Sequence, residues 1–462
     1  MKALAATIFI FFECRWRQRM TKARLDGLLL LLIGTAFFIL FGLATEVSSP
    51  HSMMDFKVVY YPTRCLIQGC DPYKADDVLH LFEVEEINSQ LDAAKTRQIV
   101  TRFIYLPSAF LVTVPFAMLP WKQAHLLWLM VTSLTFMTAC FLIWKWSANY
   151  APLVSGALIG FFIANSVTVM LLSNAAGIAI GFCVIAVWCF LKNRFVLIGV
   201  FCLAVSLGLK PQDAGLVWLY FLLAGGIYRR RALQTLFATI ALSMPAVLWV
   251  WHVSPYWLQE WHSNILALAA HGGVNDPGPT SSGAHGLDML VSLQAVFGSF
   301  TDHPHIYNSL TYLVCVPLLI VWGLVTLRSR CSPETTWLAL GAIACLSMLP
   351  VYHRQLDTKL LLLTIPGCVV LWAKRNRVGR LALLTTFAAL FLTGDIPWVI
   401  LLSLMGKLHV PANRFTDYLL VLIQTIPVPV MLLLTGMFYL WVYVCRSAPK
   451  NECKKPLSEV TA

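Results

Sequence analysis

Asp55, Lys210 and the run Tyr352-His353-Arg354-Gln355-Leu356-Asp357 put ionisable groups into a chain that has few of them. Asp55 follows the first long apolar run by a few residues, where a carboxylate can meet a membrane-borne substrate on one side and a water-borne one on the other. Such a carboxylate suits a general base that takes the proton of an attacking hydroxyl. It suits equally the N-terminus of a helix, where Asp is a favoured cap. Lys210, in Leu207-Gly208-Leu209-Lys210-Pro211-Gln212, interrupts apolar sequence between two candidate spans. Its ammonium could neutralise a lipid phosphate in a low-dielectric site, or it could be a helix-end lysine reaching for the interface. His353 and Arg354 could clamp a departing phosphate, with Asp357 orienting one of them or binding sugar hydroxyls. The other reading of that run is a plain polar connector. Tyr105, in Tyr105-Leu106-Pro107, and Asn174 are candidates to line a cavity, and helix packing explains both equally well.

The elements that must hold these groups are apolar helices. Of 462 residues 58% are hydrophobic and 12% charged, with a mean hydropathy of +0.73, whereas a soluble domain carries about a quarter charged residues. Apolar runs long enough for a hydrocarbon layer about 30 Å thick recur from 25 to 445. The fold class is therefore all-α and polytopic. The net charge of +12 falls in short clusters between these runs, so it reports membrane topology and not a nucleic-acid partner. Thirteen candidate spans can be drawn, and the basic clusters put both ends of the chain on the cytoplasmic side, which requires an even number of crossings. The expectation is 12 full crossings plus one re-entrant or half-length helix, from 103–119, broken by Pro107 and Pro115, or from 153–171, which contains Asn165. A broken helix of that kind must be buried in protein or line a polar cavity.

This arrangement divides the chain into a basic cytoplasmic segment 1–24, one membrane domain 25–445 and a polar, disordered cytoplasmic tail 446–462, with external loops 45–102, 252–308 and 403–418. In the first loop, a juxtamembrane helix starts near Asp55, carries Pro62 and ends near Gly69; Asp71-Pro72-Tyr73 reads as a turn; Asp76 to Lys95 reads as an amphipathic helix. Cys65 and Cys70 share that loop and can pair in an oxidising compartment. Of the histidines in the second loop only His303 and His305 are close, and no spacing matches a zinc helix, so no metal or other cofactor is expected, a divalent ion being left open. Trp251, Trp257 and Trp261 suit an interfacial belt. There is no phosphate-binding P-loop and no Gly-x-Ser-x-Gly elbow, which removes support for ATP-driven transport and serine hydrolysis.

Taken in order, Asp55-Phe56, Tyr60-Tyr61, Gly69, Asp71-Pro72-Tyr73, Tyr105-Leu106-Pro107 with Pro115 and Leu119-Pro120, Leu209-Lys210-Pro211-Gln212 and His353-Arg354-Gln355-Leu356-Asp357 resemble glycosyltransferase family 87. These are polyprenyl-phosphate-mannose-dependent α-mannosyltransferases of the GT-C superfamily. The resemblance implies a GT-C membrane fold, a catalytic Asp in the first external loop, a polyprenyl-phosphate sugar donor, a glycolipid or glycan acceptor and inversion at the sugar carbon. Carried onto this chain, it implies Asp55 as base, Lys210, His353 and Arg354 at the donor phosphate, and Tyr60, Tyr61, Tyr73, Tyr105, Gln212 and Asp357 around the substrates. Where relatives resemble Gly-Gln-x-Asn, this chain has Leu172-Ser173-Asn174-Ala175. The expected location is the bacterial plasma membrane, with the site facing the extracytoplasmic side. A transporter or flippase of lipid-linked sugars, or a polysaccharide polymerase or ligase, would share the apolar spans and external polar groups; the absence of a paired, Gly/Pro-broken inverted repeat weighs against transport.

Overall fold

The computed structural model describes residues 21–49, 52–85, 99–278, 289–329, 332–408 and 414–447. Among the described residues the chain is helical throughout apart from one isolated bridge pair, Leu290 with Arg354. The helices run α1 (Lys22–Ser48), α2 (Met54–Ile67), α3 (Ala75–Glu85), α4 (Ser108–Ala117), α5 (Trp121–Ser147), α6 (Pro152–Ala164) and α7 (Thr168–Leu172). There follow α8 (Ala175–Lys192), α9 (Val196–Leu209), α10 (Pro211–Ala224), α11 (Gly226–Val253), α12 (Trp257–Ala269), α13 (Leu293–Gly298), α14 (Pro304–Arg328) and α15 (Pro333–Leu346). A 3-10 helix, Gln355–Leu363, leads into α16 (Thr364–Ala373), and α17 (Arg377–Leu392), α18 (Ile396–Leu408), α19 (Arg414–Thr425) and α20 (Pro427–Arg446) complete the chain.

Seven helical segments are long and apolar enough to cross a bilayer: α1, α5, α8, α11, α14, the 3-10/α16 unit and 421–446. The 27 residues of α1 and of α5 reach about 40 Å at 1.5 Å per residue. The segments differ in burial. The 3-10/α16 span is 89% buried and α8 72%, whereas α11 is 11% and α14 22%. The first two form the interior, and the last two present Phe237, Leu248, Leu313 and Ile320 outward. An apolar face of that extent has no counterpart on a water-soluble monomer and is the surface offered to lipid. The molecule is an all-helical integral membrane protein.

Small residues bring α1 against α6. A Cβ added to Gly34 would meet the Gly160 carbonyl oxygen at 2.1 Å, and one on Gly160 would meet the Leu30 carbonyl oxygen at 2.4 Å. The two backbones touch, as in glycine-mediated packing between membrane helices.

Several expected spans are interrupted. The stretch 103–119 holds only the ten-residue α4, about 15 Å of helix. The stretch 153–171 divides at Asn165 into α6 and α7, and 381–402 divides at Thr393–Asp395 into α17 and α18. The last two breaks are stitched together. Asn165 Nδ2 donates to the Leu390 carbonyl (3.0 Å) and its Oδ1 accepts from Ile396 N (2.7 Å). Asp395 accepts from Thr168 N (2.8 Å) and Thr168 Oγ1 (2.7 Å). The orphaned backbone groups of one broken helix are thus satisfied by the other, inside protein. More than one candidate span is therefore incomplete, where the sequence reading expected a single failure.

The segment read as an external loop, 403–418, is helical at both ends, in α18 and α19, and 409–413 lies outside the described residues. The loop 252–308 contains α12 and α13, which its Gly/Pro content had hidden. In the first loop, α2 runs through Pro62 and closes in a Schellman motif: Gly69 (φ 81°) N–H donates to the Leu66 carbonyl and Cys70 N–H to that of Cys65. That closure faces Cys65 with Cys70, and they form a disulfide. Tyr73 N donates to Asp71 Oδ1 (3.0 Å), which makes the expected turn. The amphipathic helix is seen as α3; its expected continuation over 86–95, like 1–20 and 448–462, lies outside the described residues.

Candidate functional site

Four helices begin at one place, and the ionisable groups singled out from the sequence lie in or beside their first turns. Met53, in the left-handed region at φ 59°, turns the chain into α2, and its N–H donates to the Leu171 carbonyl (2.8 Å). This pins the start of α2 to the end of α7. Asp55 is in the first turn of α2, two positions past the cap that Met53 occupies. Ser173, also left-handed at φ 51°, ends α7; its carbonyl accepts from Trp128 Nε1 (2.8 Å). Asn174 then caps α8, its Oδ1 accepting from Ala176 N (2.8 Å) while its Nδ2 donates to Asp55 Oδ2 (2.8 Å).

Lys210 is the residue between α9 and α10 and is 6% exposed. Its Nζ donates to Asn174 Oδ1 (3.3 Å) and Asp357 Oδ1 (2.5 Å), and lies 3.7 Å from Asp213 Oδ2. A continuous line of contacts therefore runs Asp55, Asn174, Lys210, Asp357. Residues 353–355 run antiparallel beside 289–291, with Val291 N donating to the His353 carbonyl and Gln355 N to that of Met289. This strand-like pairing sets the start of the 3-10 helix. Arg354 N donates to Asp357 Oδ2 (2.9 Å), and the Arg354 guanidinium reaches Tyr352 OH (2.5 Å), Asn275 Oδ1 (2.9 Å) and the Val274 carbonyl (3.1 Å). Val274 and Asn275, in the segment 252–308, are tied to the site through this arginine. Tyr105 carries a phenol within electrostatic range of Lys210, Asp55, Asp357 and Tyr352, and burial raises it above its ordinary value against the pull of the Lys210 charge.

His353 is fully buried. Its Nδ1 faces the Val351 carbonyl at 3.2 Å, and its Nε2 lies 3.5 Å from Asp213 Oδ1. Asp213, His353 and Asp357 each present a ligand atom within 4.8 Å of the others, which makes them the residues able to hold a metal ion. Gln212 is half-buried, and its backbone flanks the His353 ring.

Of the residues named from the sequence, Asp55, Tyr105, Lys210, His353, Arg354 and Asp357 come together. Tyr60, Tyr61 and Tyr73 do not. Tyr60 is 1% exposed with its hydroxyl on the Leu119 carbonyl (3.0 Å), and Tyr61 stacks on Trp121 and meets Phe82 edge-on. Tyr73 donates to the Tyr105 carbonyl (2.9 Å) and packs on Phe103. All three rings are buried in aromatic packing, and of them Tyr73 holds the Tyr105 carbonyl. Two site residues were underrated. Asn174 is the hub between Asp55 and Lys210, and its place just before an apolar run was the available signal for a helix cap. Asp213 stands three positions after Lys210 in otherwise apolar sequence, and a second buried charge there was readable as a partner.

Fold and site define a class: an integral membrane protein whose buried charged centre is assembled from helix starts at one end of the bundle. Comparison with protein-family models, with curated proteins and with solved structures gives no match to the chain.

Proposed function

We propose that the protein is a membrane glycosyltransferase of GT-C type, akin to glycosyltransferase family 87, that moves a hexosyl unit, most simply mannosyl, from a polyprenyl-phosphate donor to a glycolipid or glycan hydroxyl outside the cytoplasm. The observation that carries the reading is Asn174, which joins the Asp55 carboxylate to the Lys210 ammonium in one partly buried network. A base for the acceptor and a cation for the leaving phosphate must lie on opposite sides of one sugar carbon, and this pair supplies both.

In the proposed step the acceptor oxygen attacks the anomeric carbon as its proton passes to Asp55. The new carbon–oxygen bond forms as the bond to phosphate breaks, and the electron pair leaves on the polyprenyl phosphate. Lys210 offsets that charge, and the starts of α2, α8, α10 and the 3-10 helix add the positive ends of their dipoles. One direct displacement inverts the carbon and needs no nucleotide. Arg354, held by Tyr352 and Asn275, positions the outer loop over the donor.

The test is transfer of label from polyprenyl-phosphate hexose by membranes containing the protein. Asp55→Asn, which keeps the shape of the side chain, is expected to reduce transfer by about 10²–10⁴-fold with unchanged expression and melting temperature. Wild-type rates in that variant would remove Asp55 as the base, and label that crosses vesicles without covalent product would replace transfer by transport.

A further inference from the structure

We propose that Asp213, His353 and Asp357 bind a divalent transition-metal cation beside Lys210. The argument begins with the proton on His353. Its Nδ1 faces the Val351 carbonyl at 3.2 Å, and a carbonyl only accepts, which favours the tautomer with its hydrogen on Nδ1. In that tautomer Nε2 presents a lone pair. A histidine that donates through one ring nitrogen to a backbone carbonyl is oriented in the way metal-ligating histidines are.

That lone pair points at another acceptor. Nε2 lies 3.5 Å from Asp213 Oδ1, with the Gln212 backbone beside the ring and the Lys210 ammonium 3.7 Å from Asp213 Oδ2, and no hydrogen bond of ordinary length and angle reaches Nε2 or either Asp213 oxygen. Both side chains are 1% exposed. Two buried acceptors facing each other across such a gap form an arrangement that a cation between them would make favourable. The spacing fits an ion. Two ligand atoms each about 2.1 Å from a metal stand about 3.4 Å apart at the tetrahedral angle. Asp357 brings a third ligand atom within the same 4.8 Å cluster, shared with the Lys210 ammonium.

Charge points the same way. Two carboxyl groups, Asp213 and Asp357, face a single ammonium, Lys210, and a cation bound between them would hold both in the ionised form. Two carboxylate oxygens and an imidazole nitrogen suit zinc or manganese better than calcium, which takes oxygen alone. The site stands on these atoms. Only its role rests on the transferase reading: with Asp55 close by through Asn174, an ion here would let an anionic donor approach carboxylates that otherwise repel it.

The experiment uses full-length protein in detergent, stripped with a chelator and dialysed against zinc chloride, with metal counted by plasma mass spectrometry. The expected result is about one zinc per chain, lost in the Asp213→Asn/His353→Gln double variant and retained in Asp55→Asn. Zinc is also expected to raise the melting temperature of the wild type and not of the double variant. Stripped wild type that takes up no zinc, or a double variant that binds as much as wild type, overturns the proposal. Should the double variant not fold, cobalt(II) loaded into wild type decides: intense visible bands of a low-symmetry bound ion support the site, and the spectrum of the hydrated ion overturns it. A chain that binds no metal yet transfers sugar through Asp55 refutes this inference alone; a chain that binds zinc and transfers nothing refutes the transferase reading alone.

Discussion

Replacing Asn174 separates two jobs that one side chain performs. Its Oδ1 caps α8 at Ala176 N and accepts from Lys210, and its Nδ2 holds Asp55. Asn174→Ala removes the cap, worth about 0.5–2 kcal/mol, and a hydrogen bond to a charged group, worth about 1.5–3 kcal/mol. The expected loss of stability is about 2–5 kcal/mol, with a lowered melting temperature. Transfer is expected to fall by about 10²-fold or more, because a general base works only from a fixed position. Asn174→Asp decides between the two effects. Asp caps a helix as well as Asn, so the melting temperature recovers, but a second carboxylate 2.8 Å from Asp55 must share a proton with it, and transfer stays low near neutral pH. Melting in detergent and label transfer at saturating donor measure both variants. Wild-type transfer in Asn174→Ala, alongside loss in Asp55→Asn, would refute the claim that Asn174 positions the base.

Two further outcomes follow from the fold. Gly160→Leu drives a side chain into the Leu30 carbonyl, where even a Cβ meets oxygen at 2.4 Å; overpacking of this kind costs about 1–3 kcal/mol and should lower the melting temperature, while Gly215→Ala, with open space around its Cβ, should not, and equal melting of both would deny the direct α1–α6 contact. Glu260 on α12 is pushed up from 4.5 to about 6, first by burial and then by its hydrogen bond with Asp71. The folded state therefore keeps a proton that the unfolded chain releases, so stability from this contact is present below about 4.5 and is lost as pH rises through about 6. Hydrogen exchange in 257–269, corrected for its intrinsic pH dependence, should show more opening at pH 7 than at pH 5 in wild type and no such difference in Glu260→Gln; equal behaviour of the two would dismiss the carboxyl pair.

How much of this was legible depends on whether a feature is local. The membrane class follows from composition, because apolar surface cannot be hidden in water at that density. Asp55, Lys210, His353 and Asp357 were visible because a charge in apolar sequence demands a partner. What was not visible was which partner. Tyr60, Tyr61 and Tyr73 have the composition of a sugar platform, yet α2 turns Tyr60 and Tyr61 onto Trp121 and the turn after it sets Tyr73 on Phe103, a choice made by contacts distant in sequence. The break at Asn165 was suspected from one polar residue; its match at Asp395 was not, since each break is satisfied only by the other. The glycines of α1 and α6 read as ordinary apolar residues until the two helices are set side by side.

The charges at the site are not all explained by the helices that carry them. Asp55, Asp213 and Asp357 each occupy a first helical turn, where a carboxylate is favoured by the dipole whatever the protein does. Lys210 is a different case. It stands at once at the end of α9, where a cation is favoured, and at the start of α10, where it is disfavoured, so the two dipoles oppose each other, and at 6% exposed it gains little from the interface. Its stabilisation comes from Asn174, Asp213 and Asp357. Replacing both members of a buried pair by apolar residues is often neutral or stabilising, so the pair is poorly accounted for as a stability device. A buried lysine that touches the residue holding Asp55 is instead what an anionic leaving group would require, and on the proposed reading the chemistry rests on Lys210 as much as on Asp55.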